Sequence, residues 1–252
     1  MMLLLGLGVL LAQTVASGPI PASTRQLVLV TTPDWTATSG TLQRFERVAE
    51  AGWVPVGDAV AAVVGRSGLG WGRGLHDASG LAGPSKAEGD GRAPAGVFRL
   101  SAAFGYDASL PTGLPYVPVP GLQCVDDPVS ASYNVVRAPD DDPDWTSHET
   151  MRRRDGLYRI GAIVAHNGPG VDRDLLPAAA LVDGATPVSG AGSCIFLHVW
   201  NGPRSTTAGC TAMADPALAE ILAWLRADAD PVLVQLPAGA RRGLQARWAL
   251  PE

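Results

Sequence analysis

A nucleophilic thiol needs a base for its proton, amide N–H groups aimed at the oxyanion that forms, and access to substrate. The segment Ser193 to Met213, SCIFLHVWNGPRSTTAGCTAM, holds residue types that could supply all three. Cys210 follows Gly209, whose missing side chain would let backbone amides approach a carbonyl oxygen. His198 precedes Cys210 by twelve positions, a span that a strand, a polar turn and a return can fold back on itself. An imidazole placed beside the sulfur lowers a thiol pKa from about 8.5 toward neutrality by stabilising thiolate. The same pattern also suits a small core thiol and a hydrogen-bonded strand histidine. Spacing alone leaves both readings open.

Other residues compete for attention. His166 ends a predicted strand, Arg159 to His166, and could line a cleft with Asn167 beside it or be a satisfied structural histidine. His76 and His148 fall in predicted loops and read as structural or solvent-facing. A zinc peptidase needs three ligands and a water, and four scattered histidines without His-Glu-x-x-His argue against one. Lys86, Glu88, Asp90 and Arg92 alternate in charge across glycines, which suits a tight turn pinned by ion pairs. Gly89 and Gly91 would supply the positive φ. Asp126 and Asp127 ahead of Pro128 read as a turn or as groups that could position a substrate amine, and Arg152 to Arg154 as a solvated face or a contact for an anionic polymer.

The elements that must position these residues are mostly strands. The 252-residue chain carries 30 Gly and 21 Pro, so turns are many and long helices few. Strands are predicted at Gln26 to Thr31, Gly96 to Ser101, Tyr133 to Arg137, Arg159 to His166, Ser193 to Trp200 and Val232 to Leu236. Along Ser193 to Trp200 the alternation puts Cys194, Phe196, His198 and Trp200 on one side. Thr41 to Ala51 reads as a short helix capped by Thr41 and closed by Gly52, and residues 53–64 as two apolar runs broken at Gly57-Asp58. Residues 65–95 read as an extended glycine-rich loop. Asp215-Pro216 opens a helix with Asp215 as N-cap, its apolar face made by Leu218, Ile221, Leu222 and Leu225. Arg241 to Glu252 reads as a polar tail with Trp248 docked.

The balance of 19 basic and 24 acidic residues gives a net charge of −5. A net-acidic chain without a basic stripe is not built to neutralise phosphates, which excludes a nucleic-acid binder. Met1 to Ala16 is an uncharged apolar run ending in small residues, too short to span a bilayer, and reads as a signal peptide cleaved after Ala16. The expectation is a single exported domain over residues 17–252, its core at about 27–237, in a periplasm, envelope or extracellular setting and without membrane insertion.

The stretch around Cys210 resembles the active-site motif of the L,D-transpeptidases (the YkuD-like family), in which a strand His precedes Ser/Thr-x-Gly-Cys. Lys86-Ala-Glu-Gly-Asp-Gly-Arg-Ala-Pro-Ala-Gly-Val-Phe98 is similar to a second family stretch, and Gly68 to Leu75 to the strand and turn that lead into it. Cys124-Val-Asp-Asp-Pro128, Tyr133-Asn134, Asp144-Trp-Thr-Ser-His-Glu149 and Val164-Ala-His-Asn167 resemble a secreted bacterial branch. The resemblance spans residues 53–236. It implies a mainly β or α+β fold: one mixed, sandwich-like sheet domain with a few peripheral helices.

For activity, the resemblance implies acyl transfer on peptidoglycan stem peptides through a Cys210 thioester. His198 would be general base or ion-pair partner, and the Gly209 and Cys210 amides the oxyanion donors. His166, Asn167, Thr207 and Trp200 would contact substrate. No metal or organic cofactor is implied, and the protein would act as a monomer. Hydrolysis, as an L,D-carboxypeptidase or an amidase freeing wall-linked protein, uses the same groups. A wall-binding module without turnover is the reading from another class. Ala208 and Ala212 stand where many members carry His and Arg, and the His198-to-Cys210 gap is shorter than in many. Arg204 or Arg152 could replace that missing guanidinium. Reserving Cys210 as the nucleophile leaves Cys124 and Cys194, whose pairing would close a long loop.

Overall fold

The structure is a computed structural model describing residues 18–177 and 185–252. The expected signal peptide, residues 1–16, lies outside the described residues. The chain order is β1 (Gln26–Thr32), β2 (Ser39–Val48), β3 (Gly52–Val63), β4 (Leu69–Trp71), β5 (Ala93–Gly105), β6 (Tyr116–Pro118), β7 (Gln123–Val125), β8 (Val135–Arg137), β9 (His148–Thr150), β10 (Ile160–Val164), β11 (Phe196–Val199), β12 (Thr211–Met213), α1 (Asp215–Trp224), β13 (Val232–Pro237) and α2 (Ala238–Trp248). The fold is mainly β with few helices, as composition implied.

One sheet runs β10-β11-β12-β3-β2-β1-β13-β5, and β5 pairs back onto β10. The sheet therefore closes on itself as an eight-stranded barrel, which removes its edges. β4 and β6 extend it from β5, and β8-β7-β9 forms a separate three-stranded sheet. The β-branched run of β1 is buried at six of its seven positions because β13 flanks it in parallel and β2 in antiparallel pairing. β5 is long enough to serve β13, β10, β4 and β6 in turn.

Five local expectations change. Thr41 to Ala51 is not a helix: it lies mostly in β2, where Leu42 pairs with Val30 and Phe45 with Leu27. Pairing on both sides outweighs helix propensity; the register shift between β2 and β3 belongs to β3, which advances from Val60 to Val56 while β2 advances only from Leu42 to Arg44. β3 runs unbroken through Gly57-Asp58. The 65–95 segment is mostly loop but contributes β4. The expected polar tail is α2, with Leu244 and Trp248 buried; Trp248 packs against Trp71 at 6.2 Å and His76 at 5.5 Å. At the start of α1 the N-cap is Ala214, and the Asp215 carboxylate instead accepts two bonds from Arg159, at 2.8 and 3.0 Å.

The strands carry two cores. Leu197, Val199, Ala162 and Leu100 join the larger cluster, with β1, β13 and both helices. Phe196, Ile163, Ala102 and Phe104, on the other face of the same strands, join Tyr158, Met151, Val136 and Cys210 beneath the small sheet. By alternation, His198 shares the Phe196 face. Gly96 (φ 136°) passes where a side chain would run into the His76 ring, whose Nδ1 accepts from the Val97 N–H at 3.1 Å. His76 is thus structural.

A disulfide joins Cys124 of β7 to Cys194, just before β11, across 70 residues of sequence. It fastens the small sheet to the barrel wall. Loop closure of that length is worth about 4 kcal/mol in the chain-entropy account. The Cys124→Ala/Cys194→Ala double variant should lose stability of that order in urea unfolding, and an unchanged midpoint would contradict the role given to this link.

Candidate active site

The parallel register of β11 and β12 sets Leu197 opposite Thr211 and His198 opposite Ala212. Cys210, one residue before β12, consequently lies against Phe196. Its Sγ accepts from the Phe196 N–H at 3.3 Å and donates to the Cys194 carbonyl at 3.4 Å. Cys210 and His198 line one cavity of about 330 Å³ together with Trp200, Thr207, Gly209 and Ala212. Cys210 is the free cysteine among the described residues.

His198 Nδ1 lies 2.7 Å from the Val199 carbonyl. A carbonyl only accepts, so in the neutral ring the proton sits on Nδ1 and Nε2 keeps its lone pair. The Tyr158 ring meets the imidazole edge-on at 5.1 Å and limits its rotation. Nε2 has no hydrogen-bond partner among the described residues and is the nitrogen left to act as base.

The electrostatics reverse the expected activation. Burial pushes the Cys210 thiol up to about 12, Glu149 adds to this, and the Phe196 amide and Tyr158 hydroxyl work against it. Burial also pulls the His198 imidazole down to about 4, against the pull of its bond to Val199. Desolvation penalises both charged forms. The resting pair is therefore thiol and neutral imidazole, not thiolate and imidazolium.

The oxyanion site is also modified. The Gly209 N–H is taken by Thr207 Oγ1 at 3.2 Å, and that hydroxyl donates to the Cys210 carbonyl at 2.6 Å. Thr207 thus staples the turn ahead of Cys210. The Cys210 N–H makes no hydrogen bond among the described residues and is the available donor. A Cβ at 209 would sit 3.1 Å from the Arg92 carbonyl, a tight contact that glycine avoids.

Trp200 is half-buried at the cavity wall, where substrate contact is open to it. Substrate contact is not open to His166 and Asn167. His166 is fully buried, accepts at Nδ1 from the Arg73 N–H at 3.2 Å and donates from Nε2 to the Ala191 carbonyl at 3.0 Å. Asn167 gives Nδ2 to the Val188 and Gly192 carbonyls and accepts the Val188 N–H. With every polar atom used internally, the two hold the 188–192 turn and line no part of the cavity.

The predicted charged turn forms: Lys86 Nζ meets Asp90 Oδ1 at 2.8 Å, and Gly89 and Gly91 have φ near 70°. Glu88 reaches from it to accept from Tyr133 Oη and, at 2.7 Å, from Ser193 Oγ, tying the turn to the strand that carries His198. Arg204 and Arg152 are both absent from the lining. Arg66, Arg153, Glu88, Asp126, Glu149 and Tyr158 are present. Of these six, the sequence points toward a cleft only at Glu88 and Asp126; four separate segments bring the set together.

A neutral thiol predicts slow alkylation at neutral pH. The rate of iodoacetamide addition to Cys210 should climb about tenfold per pH unit from pH 7 to 10 without levelling, since only the thiolate reacts. A plateau reached below pH 7 would show a preformed ion pair. Comparison of the sequence with protein-family models and with curated proteins gives no match to either.

Proposed function

We propose that the chain is a cysteine acyltransferase of L,D-transpeptidase type acting on peptidoglycan stem peptides. The observation that carries the reading is Cys210, His198 Nε2 and an uncommitted Cys210 amide at one cavity. The motif resemblance supplies the substrate class. It also supplies the finer fold assignment, to the sheet domain of that family.

Because thiol and imidazole are both neutral at rest, proton transfer accompanies attack. The Sγ proton passes to His198 Nε2 as sulfur adds to the carbonyl between an L- and a D-residue of the stem. The oxyanion rests on the Cys210 N–H. Collapse breaks the C–N bond, and the Nε2 proton goes to the departing D-amino acid, leaving a thioester. An amine of a second stem then takes the acyl group and gives a cross-link, with His198 again carrying the proton. An exported setting agrees with the Cys124–Cys194 disulfide, which persists in oxidising compartments.

Hydrolysis is the second reading, and Ala212 favours it. This methyl lies beside His198 in the β11–β12 register, at a position where many family members carry arginine. A small residue there leaves room for water to take the place of an amine.

Incubating the protein with purified tetrapeptide muropeptides and resolving products by mass separates these outcomes. A cross-linked dimer, absent in Cys210→Ala and reduced at least 100-fold in His198→Ala, is expected from loss of the nucleophile and of general-base assistance. A trimmed tripeptide alone would assign hydrolysis. Unchanged substrate would overturn the proposal and point to wall binding without turnover.

A further inference from the structure

Tyr158 is almost fully buried, yet no backbone group takes its hydroxyl. Its Oη donates to Glu149 Oε2 at 2.7 Å. A buried tyrosine needs such a partner, but a carboxylate at an apolar cluster is a costly one. Glu149 is brought there by β9, whose pairing with β7 sets Glu149 opposite the disulfide-bonded Cys124. The link that closes the small sheet over the barrel therefore also fixes Glu149.

Tyr158 packs on one reacting group and lines the same cavity as the other. Its ring stands edge-on to His198 at 5.1 Å and to Phe196 at 5.4 Å, it shares a buried cluster and the cavity lining with Cys210, and its hydroxyl rests on Glu149. The groups facing Cys210 are the Phe196 amide and Cys194 carbonyl on one side, Glu149 from β9, Arg153 and Tyr158. Of the donors among them, Arg153 is paired with Asp155, which leaves the Tyr158 hydroxyl and the Phe196 amide. The amide is fixed in place, whereas a hydroxyl can rotate between two acceptors.

We infer that Tyr158 is a further catalytic residue: as the thiol gives its proton to His198, the phenol O–H turns from Glu149 to the sulfur and stabilises the negative charge developing there. Glu149 is the positioning residue that holds the phenol ready while the thiol is neutral. No proton leaves Tyr158; its hydrogen bond changes acceptor. The inference rests on Cys210 as nucleophile, not on the identity of the substrate.

The test reads the thiol without any stem peptide, so failure of the substrate assignment leaves it intact. The rate of Cys210 alkylation by iodoacetamide is measured against pH for the unaltered chain, Tyr158→Phe and Glu149→Gln, with the modified residue located by peptide mass. Tyr158→Phe should slow the reaction about tenfold at pH 8, the value of a hydrogen bond to a charged group, and move the profile to higher pH. Glu149→Gln should move it to lower pH, because the charge beside sulfur is gone while the amide oxygen still accepts from Tyr158. These opposite shifts are not what loosened packing would give. An unchanged profile in Tyr158→Phe, or shifts of the same sign in both variants, overturns the inference. Should Tyr158→Phe fail to fold, an unchanged or upward-shifted profile in Glu149→Gln overturns it alone.

Discussion

Desolvation of the Cys210 thiol governs this site. Water would stabilise a thiolate; the pocket between barrel wall and small sheet replaces it with Phe196, Tyr158 and the Cys194 carbonyl, and the thiol keeps its proton. The same exclusion keeps His198 neutral, with its free nitrogen available. In the proposed reaction charge appears only as the sulfur attacks, and every donor near the sulfur matters most at that moment. A preformed ion pair would gain nothing further from those donors.

The rest of the fold reads as the means of maintaining that dry wall. Barrel closure through β5 and β10 gives β11 a rigid frame, and the register with β12 decides what faces His198. The disulfide fastens the small sheet at the point where it covers Cys210. The glycine-rich loop is held by Lys86–Asp90 and by Glu88, which bonds both Tyr133 and Ser193. His166 and Asn167, at first sight candidates for chemistry, spend all their hydrogen bonds on the turn behind this wall. Edge-on contacts among Phe104, Phe196 and Tyr158, at 5.3 to 6.0 Å, fill the space between. Each such pair adds about 0.5–1.5 kcal/mol beyond its buried area.

Much of this was legible in the sequence where local pattern and final environment agree. The runs of β1 and β13, the apolar face of α1 and the charged turn at Lys86 to Asp90 follow from local pattern, and the spacing of His198 and Cys210 permits the shared cavity without requiring it. β2 was not legible, because Leu42, Phe45 and Val48 recur every third residue as on a helix face, and only the long-range pairing with β1 and β3 overrides that pattern. α2 was hidden by a polar composition whose two buried anchors, Leu244 and Trp248, stand four residues apart. Barrel closure depends on one long-range pairing that no local signal encodes. Burial also decided the charge states: a histidine near a cysteine suggests an ion pair on paper, and the environment decides otherwise. Tyr158 lies outside any pattern, and Glu149 closes a family-like stretch that gives it no role, because the contact between them spans the chain.

The most direct measurement of the central claim is intact-protein mass spectrometry after mixing with a tetrapeptide donor. The account predicts a mass gain equal to the donor less its terminal D-amino acid, carried by the Cys210 peptide and removed by hydroxylamine as a thioester should be. An adduct on another residue, or a protein that processes the donor with no acyl group ever found on Cys210, would contradict it.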